Sequence, residues 1–322
     1  MSFDSIRALV SEDLSATDRF IISQLASNIP LIKEMVEYVL TCGGKRVRPI
    51  VLLLSARALN PDTRQHIDLA AAVELIHTAT LLHDDVVDKS SLRRGNKTAN
   101  IIWGNNTSVL VGDFLYSRAF QIVVDQRHPA IVDIFANSTH FITEGEIMQL
   151  TNCNNPDTTE EYYFEIIHRK TAKLFEVSSQ FGAMLATHDE PQIHAMRDYG
   201  KHLGMAYQLI DDALDYAQSA EQTGKTIGQD LSEGKCTLPL IHAMRKSNGD
   251  DLTLVRDAIK NGESSELENI LGIIESTDAI KYTADTAKHH ARLAREALVN
   301  IPASPYRKAL EELSDFVVDR TY

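Results

Sequence analysis

The chain is poor in cysteine: Cys42, Cys153 and Cys236 are the only three in 322 residues, far apart and without a Cys-x-x-Cys spacing. That excludes a disulfide framework and fits a reducing cytoplasm. Positive charge is also short. Lys and Arg number 32 against 45 Asp and Glu, a formal net charge of −13, which argues against nucleic acid as a partner. No apolar run approaches the ~20 residues of a membrane span. The start, Met1-Ser2-Phe3-Asp4-Ser5, leads into an acidic amphipathic segment rather than a secretory leader. Stable membrane insertion is not expected, although transient contact with lipid stays open. Solenoid repeats, low-complexity tracts and two-residue hairpin signals are absent as well.

What is present is a globular composition, 43% apolar and 24% charged, with helical periodicity throughout. An all-α chain is expected, read as one domain over 1–322 and long enough to bury a sizeable core. The pattern predicts helices over 4–27 and 31–41, split at Pro30, then 64–88, 107–126, 130–150, 159–187 and 190–218. Shorter ones follow to residue 320.

Two of these helices end in the same acidic pattern, Asp84-Asp85-Val86-Val87-Asp88 and Asp211-Asp212-Ala213-Leu214-Asp215. Helical residues four apart share a face, so Asp84 and Asp88 point together, as do Asp211 and Asp215. Like charges so placed weaken an isolated helix and call for a compensating cation. Paired carboxylates supplying part of an octahedral shell suit Mg²⁺, which keeps waters and takes substrate phosphates as its other ligands. Each motif follows an apolar run, which sets the carboxylates where buried helix surface meets a polar opening. Two such helices facing each other would hold Mg²⁺ and a diphosphate.

Cations stand nearby in sequence. Gly43-Gly44-Lys45-Arg46-Val47-Arg48-Pro49 ends one helix and opens the next, an arrangement that favours anions. His77 shares the stripe of Thr80, Asp84 and Asp88. Arg93 and Arg94 lie in the loop after the first acidic motif, and a guanidinium fork fits phosphate oxygens in bidentate fashion. Lys170 and Thr171 sit mid-helix, and Gln208 is one turn before Asp211. The stretch 218–235 has three glycines and carries Lys225 and Lys235, which reads as a lid.

These motifs, in this order, resemble the trans-isoprenyl diphosphate synthases over nearly the whole chain. The resemblance implies an isoprenoid synthase helical bundle around a deep central cavity, usually a homodimer. It implies about two to three Mg²⁺ ions per site, held by Asp84, Asp88 and Asp211, with Asp85, Asp212 and Asp215 supporting. Lys45, Arg48, His77 and Arg94 would bind the diphosphate of isopentenyl diphosphate. Arg93, Lys170, Thr171, Gln208, Lys225 and Lys235 would grip the allylic diphosphate, Lys170 and Lys225 counting with the six aspartates as catalytic. In such enzymes, bulky residues four or five before the first Asp stop the growing chain; Thr80 and Ala79 stand there, both small. A long, octaprenyl product is expected, one that feeds an isoprenoid quinone. If each five-carbon unit spans about one helical turn of ~5.4 Å, eight need roughly 40 Å. Phe135, in heptad register with Ile142 and Gln149, is the candidate floor of that tunnel.

Other readings compete. A shorter-chain farnesyl or geranylgeranyl synthase would share every motif. Glu74-Leu75-Ile76-His77 and Glu165-Ile166-Ile167-His168 are both Glu-x-x-His, the signature of di-iron helical bundles. Terpene cyclases share the first aspartate motif, and non-catalytic synthase subunits lack both.

Overall fold

The computed structural model describes residues 2–25, 28–41, 43–60, 62, 66–217, 227–262 and 265–319. Among them, in chain order, run α1 (Phe3–Ala8), α2 (Ser11–Gln24), α3 (Pro30–Thr41), α4 (Val47–Leu59), α5 (His66–Val87), β1 (Leu92–Arg93) and β2 (Asn96–Lys97). Next come α6 (Ala99–Trp103), α7 (Asn105–Asp125), α8 (Pro129–Thr151), α9 (Glu160–Ile167), a π-helical turn (His168–Ala172), α10 (Lys173–Ala186) and α11 (Glu190–Ala217). The rest are α12 (Gln229–Ser232), α13 (Leu238–Lys246), α14 (Gly249–Asn261), α15 (Leu267–Ser276), α16 (Ala279–Ala297) and α17 (Pro305–Val318). The all-α expectation holds. None of these helices is long and apolar enough to cross a membrane.

Contacts gather the chain into two compact units. The first comprises Met1–Asn137, Leu174–Arg197 and Leu298–Glu312; the second comprises Ser138–Lys173, Asp198–Ala297 and Leu313–Tyr322. The first is built on α4, whose Ile50, Val51, Leu52, Leu53 and Leu54 are fully buried. A run of five apolar residues covers every side of the helix, so this stretch lies inside. Gly182 of α10 meets it closely: a Cβ there would stand 2.4 Å from the Leu52 carbonyl oxygen. On α5, Ala70, Ala71 and Ala72 are likewise buried. Below them, Asp13 of α2 takes Arg57 Nη2 and Nε at 2.7 Å each. The second unit packs Tyr163, Leu209, Ile210, Leu238, Leu240, Val255, Ile259 and Ile274 into its own core.

Three local expectations need correction. The segment expected as one helix over 4–27 is two, α1 and α2, with Leu9 and Val10 between them. Residues 89–97 are not a plain loop but a hairpin, with Leu92 opposite Lys97 and Arg93 opposite Asn96. Its turn sets Arg94 at φ 53° and Gly95 at φ 78°, the consecutive positive φ values of a tight hairpin turn. Two strands of two residues are too short to show alternation. Nor is 159–187 one regular helix, because the π turn interrupts it at the residues singled out, Lys170 and Thr171. Such insertions leave no compositional trace, and they recur at functional sites.

Candidate active site

In the first unit the last turn of α5 presents Asp84 and Asp88 half-buried, with Asp85 turned inward. The hairpin folds back onto this helix end. Ser90 N–H and the Asn100 amide both donate to the Asp85 carbonyl, at 3.0 and 3.2 Å, and Thr98 Oγ1 donates to the Ser90 carbonyl at 2.7 Å. Carbonyls orphaned at a helix C-terminus are thereby satisfied. Arg93 is delivered to the Asp85 carboxylate. Loss of hydration pushes that carboxyl up, and Arg93 opposes the rise.

Beside this, Arg48 Nη1 lies 3.2 Å from His77 Nε2 and its guanidinium stacks 4.5 Å over the Phe175 ring. Arg94 covers Gly44, where a Cβ would come within 2.8 Å of Nη1; a side chain at 44 would make the guanidinium shift. Desolvation, then Arg48, Arg94, Arg93 and Arg46, hold His77 well below its ordinary value. The ring is therefore neutral near pH 7, and four guanidinium groups share one small region. Arg46 is paired with Glu74 and Arg93 with Asp85, and the positive charge that Arg48 and Arg94 add beside His77 favours an anion. Lys45 is exposed at the same turn.

In the second unit Asp211 and Asp215 are half-buried and Asp212 is buried. Tyr163 donates its hydroxyl proton to Asp212 Oδ2 at 2.5 Å, and Gln208 Nε2 donates to Oδ1 at 2.7 Å. Gln208 in turn accepts from Thr171 Oγ1 at 2.8 Å. Burial raises the Asp212 carboxyl to about 7, Tyr163 and Gln208 pulling it down and Asp211 and Asp215 adding to the rise. Asp215 accepts Asp230 N–H on Oδ2 at 3.0 Å and Gly228 N–H on its carbonyl at 2.9 Å, which fixes the start of α12. Lys170 Nζ reaches Glu146 and Gln149 at 2.8 and 2.6 Å, and Lys235 Nζ reaches Glu233 at 2.6 Å. Lys170, Thr171, Gln208, Asp212, Asp230 and Lys235 all line one cleft, about 630 Å³ with its mouth included.

Several sequence-predicted residues are thus drawn together within each unit. Lys225 and positions 218–226 of the expected lid lie outside the described residues. Ala79 and Phe135 are buried in the first unit, the latter ringed by Phe120 at 4.9 Å and Phe181 at 6.3 Å. Thr80 is half-buried on the aspartate stripe. Sequence reasoning missed Tyr163, Asp230 and Gly145. Tyr163 stands two turns before Lys170, a spacing that puts both on one face in an unbroken helix; Asp230 follows Gly228, whose φ is 70°. At Gly145, a Cβ would lie 2.6 Å from Arg169 Cβ and 2.7 Å from Lys170 N. Its bareness lets α8 press against the π turn.

Among the described residues no three His, Cys, Asp or Glu side chains converge as a ready-made metal cage. Mg²⁺ does not require one, since one or two carboxylates plus water and phosphate oxygens complete its shell. Half-buried Asp84, Asp88 and Asp211 suit that role better than Asp85 and Asp212, which are buried, the first with one oxygen on Arg93 and the second with both on Tyr163 and Gln208. The di-iron reading fails on the same ground. Glu74 is bound by Arg46, and Glu165 by Arg169 at 2.6 Å.

The sequence matches the polyprenyl synthetase family over residues 29–274, and the chain belongs to that family. It is accordingly a prenyltransferase that elongates trans-prenyl chains. It is 45% identical to the octaprenyl diphosphate synthase of Haemophilus influenzae, over 100% of this chain and 98% of that one. To the geranyl-diphosphate-specific all-trans-nonaprenyl-diphosphate synthase of Rhodobacter capsulatus it is 44% identical, over 98% and 97%. The structure of a polyprenyl synthase from Caulobacter crescentus CB15, complexed with calcium and isoprenyl diphosphate, matches with a TM-score of 0.95 at 42% identity. That match covers 99% of this chain and 98% of the other.

Proposed function

We propose that this protein is an octaprenyl diphosphate synthase, condensing isopentenyl diphosphate head-to-tail onto an allylic diphosphate such as farnesyl diphosphate and supplying a quinone side chain. The observation that carries this reading is Arg48 Nη1 at 3.2 Å from His77 Nε2, on the helix whose end carries the first aspartate motif and receives Arg93. The 45% identical octaprenyl relative supports the product, as does the small size of Ala79 and Thr80.

Lys45, Arg48, Arg94 and neutral His77 hold the diphosphate of isopentenyl diphosphate. Arg93, Lys170, Thr171, Gln208, Lys225 and Lys235 hold that of the allylic partner. Asp84, Asp88 and Asp211 are the ligands for Mg²⁺, which when bound supplies charge that stabilises the departing diphosphate. The allylic C–O bond breaks with its electron pair leaving on diphosphate. The isopentenyl double bond then bonds to the allylic carbon, and the proton lost from the adjacent carbon goes to the released diphosphate. Water must be kept away from the electron-poor carbon, which is the office of the 218–235 segment. Residues 1–322 act as one domain in the cytoplasm, without nucleic acid or stable membrane insertion. A homodimer is the assembly we assign, because Ile101, Ile102, Val109 and Leu110 leave apolar surface for a second copy.

The test uses farnesyl diphosphate and labelled isopentenyl diphosphate. Label should enter extractable lipid with Mg²⁺, stop on adding EDTA, and return with excess Mg²⁺. Asp84→Ala with Asp88→Ala should abolish incorporation while leaving the helical circular-dichroism spectrum intact. Incorporation by that double variant would contradict the assignment.

A further inference from the structure

The side chains read as holding isopentenyl diphosphate come from two segments remote in sequence. Lys45 and Arg48 flank the entry to α4, and His77 stands on α5. Something must hold these segments in register; Arg48 itself meets His77 at 3.2 Å, and a second polar link lies beside that contact. Arg46 sits between Lys45 and Arg48, and its Nη1 donates to Glu74 Oε1. Glu74 is on α5, one turn before His77. Both partners are withdrawn from solvent, with side-chain exposures of 17% and 8%. On its other side Arg46 Nε lies 3.9 Å from Asp18 of α2.

The backbone at Arg46 is informative. Its φ is 52°, the left-handed region that costs a side-chain-bearing residue and that glycine adopts freely. Gly43 and Gly44 stand three and two residues earlier in the same turn, yet the left-handed position falls on a residue with a long side chain. The backbone cost of an arginine at that φ has to be offset by what its side chain contacts. Stability does not explain a withdrawn ion pair well, since apolar partners of similar volume commonly do as well. What such a pair does provide is a fixed register between two segments.

We propose that Arg46 and Glu74 are positioning residues for the isopentenyl diphosphate site, fixing the turn that carries Lys45 and Arg48 against the helix that carries His77. The inference rests on the assignment of those three residues to that substrate. Neither Arg46 nor Glu74 touches the substrate; both act by holding the groups that do.

The experiment measures kcat, the KM of each substrate and the thermal midpoint for Glu74→Gln, Arg46→Gly and Arg46→Lys, with Arg48→Gln as reference. Arg46→Gly keeps the positive φ without the side chain, so a change there reports the lost pair rather than a strained turn. Misplacement of binding groups by about an ångström costs up to roughly a hundredfold. The KM for isopentenyl diphosphate should therefore rise at least about tenfold in Glu74→Gln and Arg46→Gly. The KM for farnesyl diphosphate should stay put, and Arg46→Lys should recover part of the loss. A lower thermal midpoint with an unchanged isopentenyl KM, or a parallel rise in both KM values, overturns the proposal. Should Glu74→Gln fail to fold, the two Arg46 variants decide it alone. If Arg48→Gln leaves the isopentenyl KM unchanged, the substrate assignment itself fails; if Arg48→Gln raises it and the others do not, only the positioning role fails.

Discussion

Arg93 brings both Nε and Nη2 onto a single oxygen of Asp85, at 2.9 and 2.8 Å. The middle acid of the first motif is thereby a structural anchor for the hairpin, while Asp84 and Asp88 remain on the half-buried stripe. Hydrogen bonds to charged groups are worth about 1.5–3 kcal/mol. Asp85→Asn should lower stability by an amount near the bottom of that range and weaken turnover. Asp84→Asn removes one of several like charges crowded on a helix end, so it should cost less stability than Asp85→Asn and abolish turnover. Calorimetry and product formation on the two variants side by side check the contrast.

Gly145 should not tolerate a side chain. A Cβ would press on the backbone of Lys170, and overpacking of this kind costs about 1–3 kcal/mol. Gly145→Ala is expected to lower the thermal midpoint and raise the KM for the allylic substrate more than that for isopentenyl diphosphate. Equal KM values to the parent would show that the π turn does not depend on this approach.

His202 and His290 meet Nδ1 to Nδ1 at 3.0 Å. Desolvation, then His202, His289 and Lys201, bring His290 from 6.5 down to about 4, and His202 is lowered too, by burial first. Between those values the unfolded chain binds protons that the folded protein refuses. Stability is therefore full above pH 6.5 and lost as pH falls toward 4. His290→Gln should flatten that part of a plot of thermal midpoint against pH; an unchanged slope would remove His290 from the account.

Product length should respond to Thr80 more cleanly than to Ala79. Thr80 lies half-buried four residues before Asp84, whereas Ala79 is fully enclosed. Thr80→Phe should shorten the extracted product and preserve turnover, while Ala79→Phe should mainly destabilise, by about 1–3 kcal/mol. Phe135→Ala, at a buried position between Phe120 and Phe181, should lengthen the product. Chromatography of dephosphorylated chains reads all three.

Much of this was legible in the residues themselves. The helices carrying Asp84 and Asp211 declare themselves by period and by repeated acid spacing, and the glycines before Lys45 mark a turn. What stayed hidden depends on contacts remote in sequence. Nothing near Tyr163 signals that its hydroxyl meets Asp212, and nothing near Arg46 signals that its charge is absorbed by Glu74 28 residues away. The hairpin at Arg93 was too short to alternate, and the π turn at Lys170 shifts register without changing composition. Gln208, expected against ligand, also relays Thr171 to Asp212, a role that only a hydrogen-bond network reveals.

The most direct test is to incubate the purified protein with Mg²⁺, farnesyl diphosphate and labelled isopentenyl diphosphate, remove the diphosphate, and size the chains. The account predicts a dominant octaprenyl product. No incorporation, or a ceiling at farnesyl or geranylgeranyl length, would contradict it.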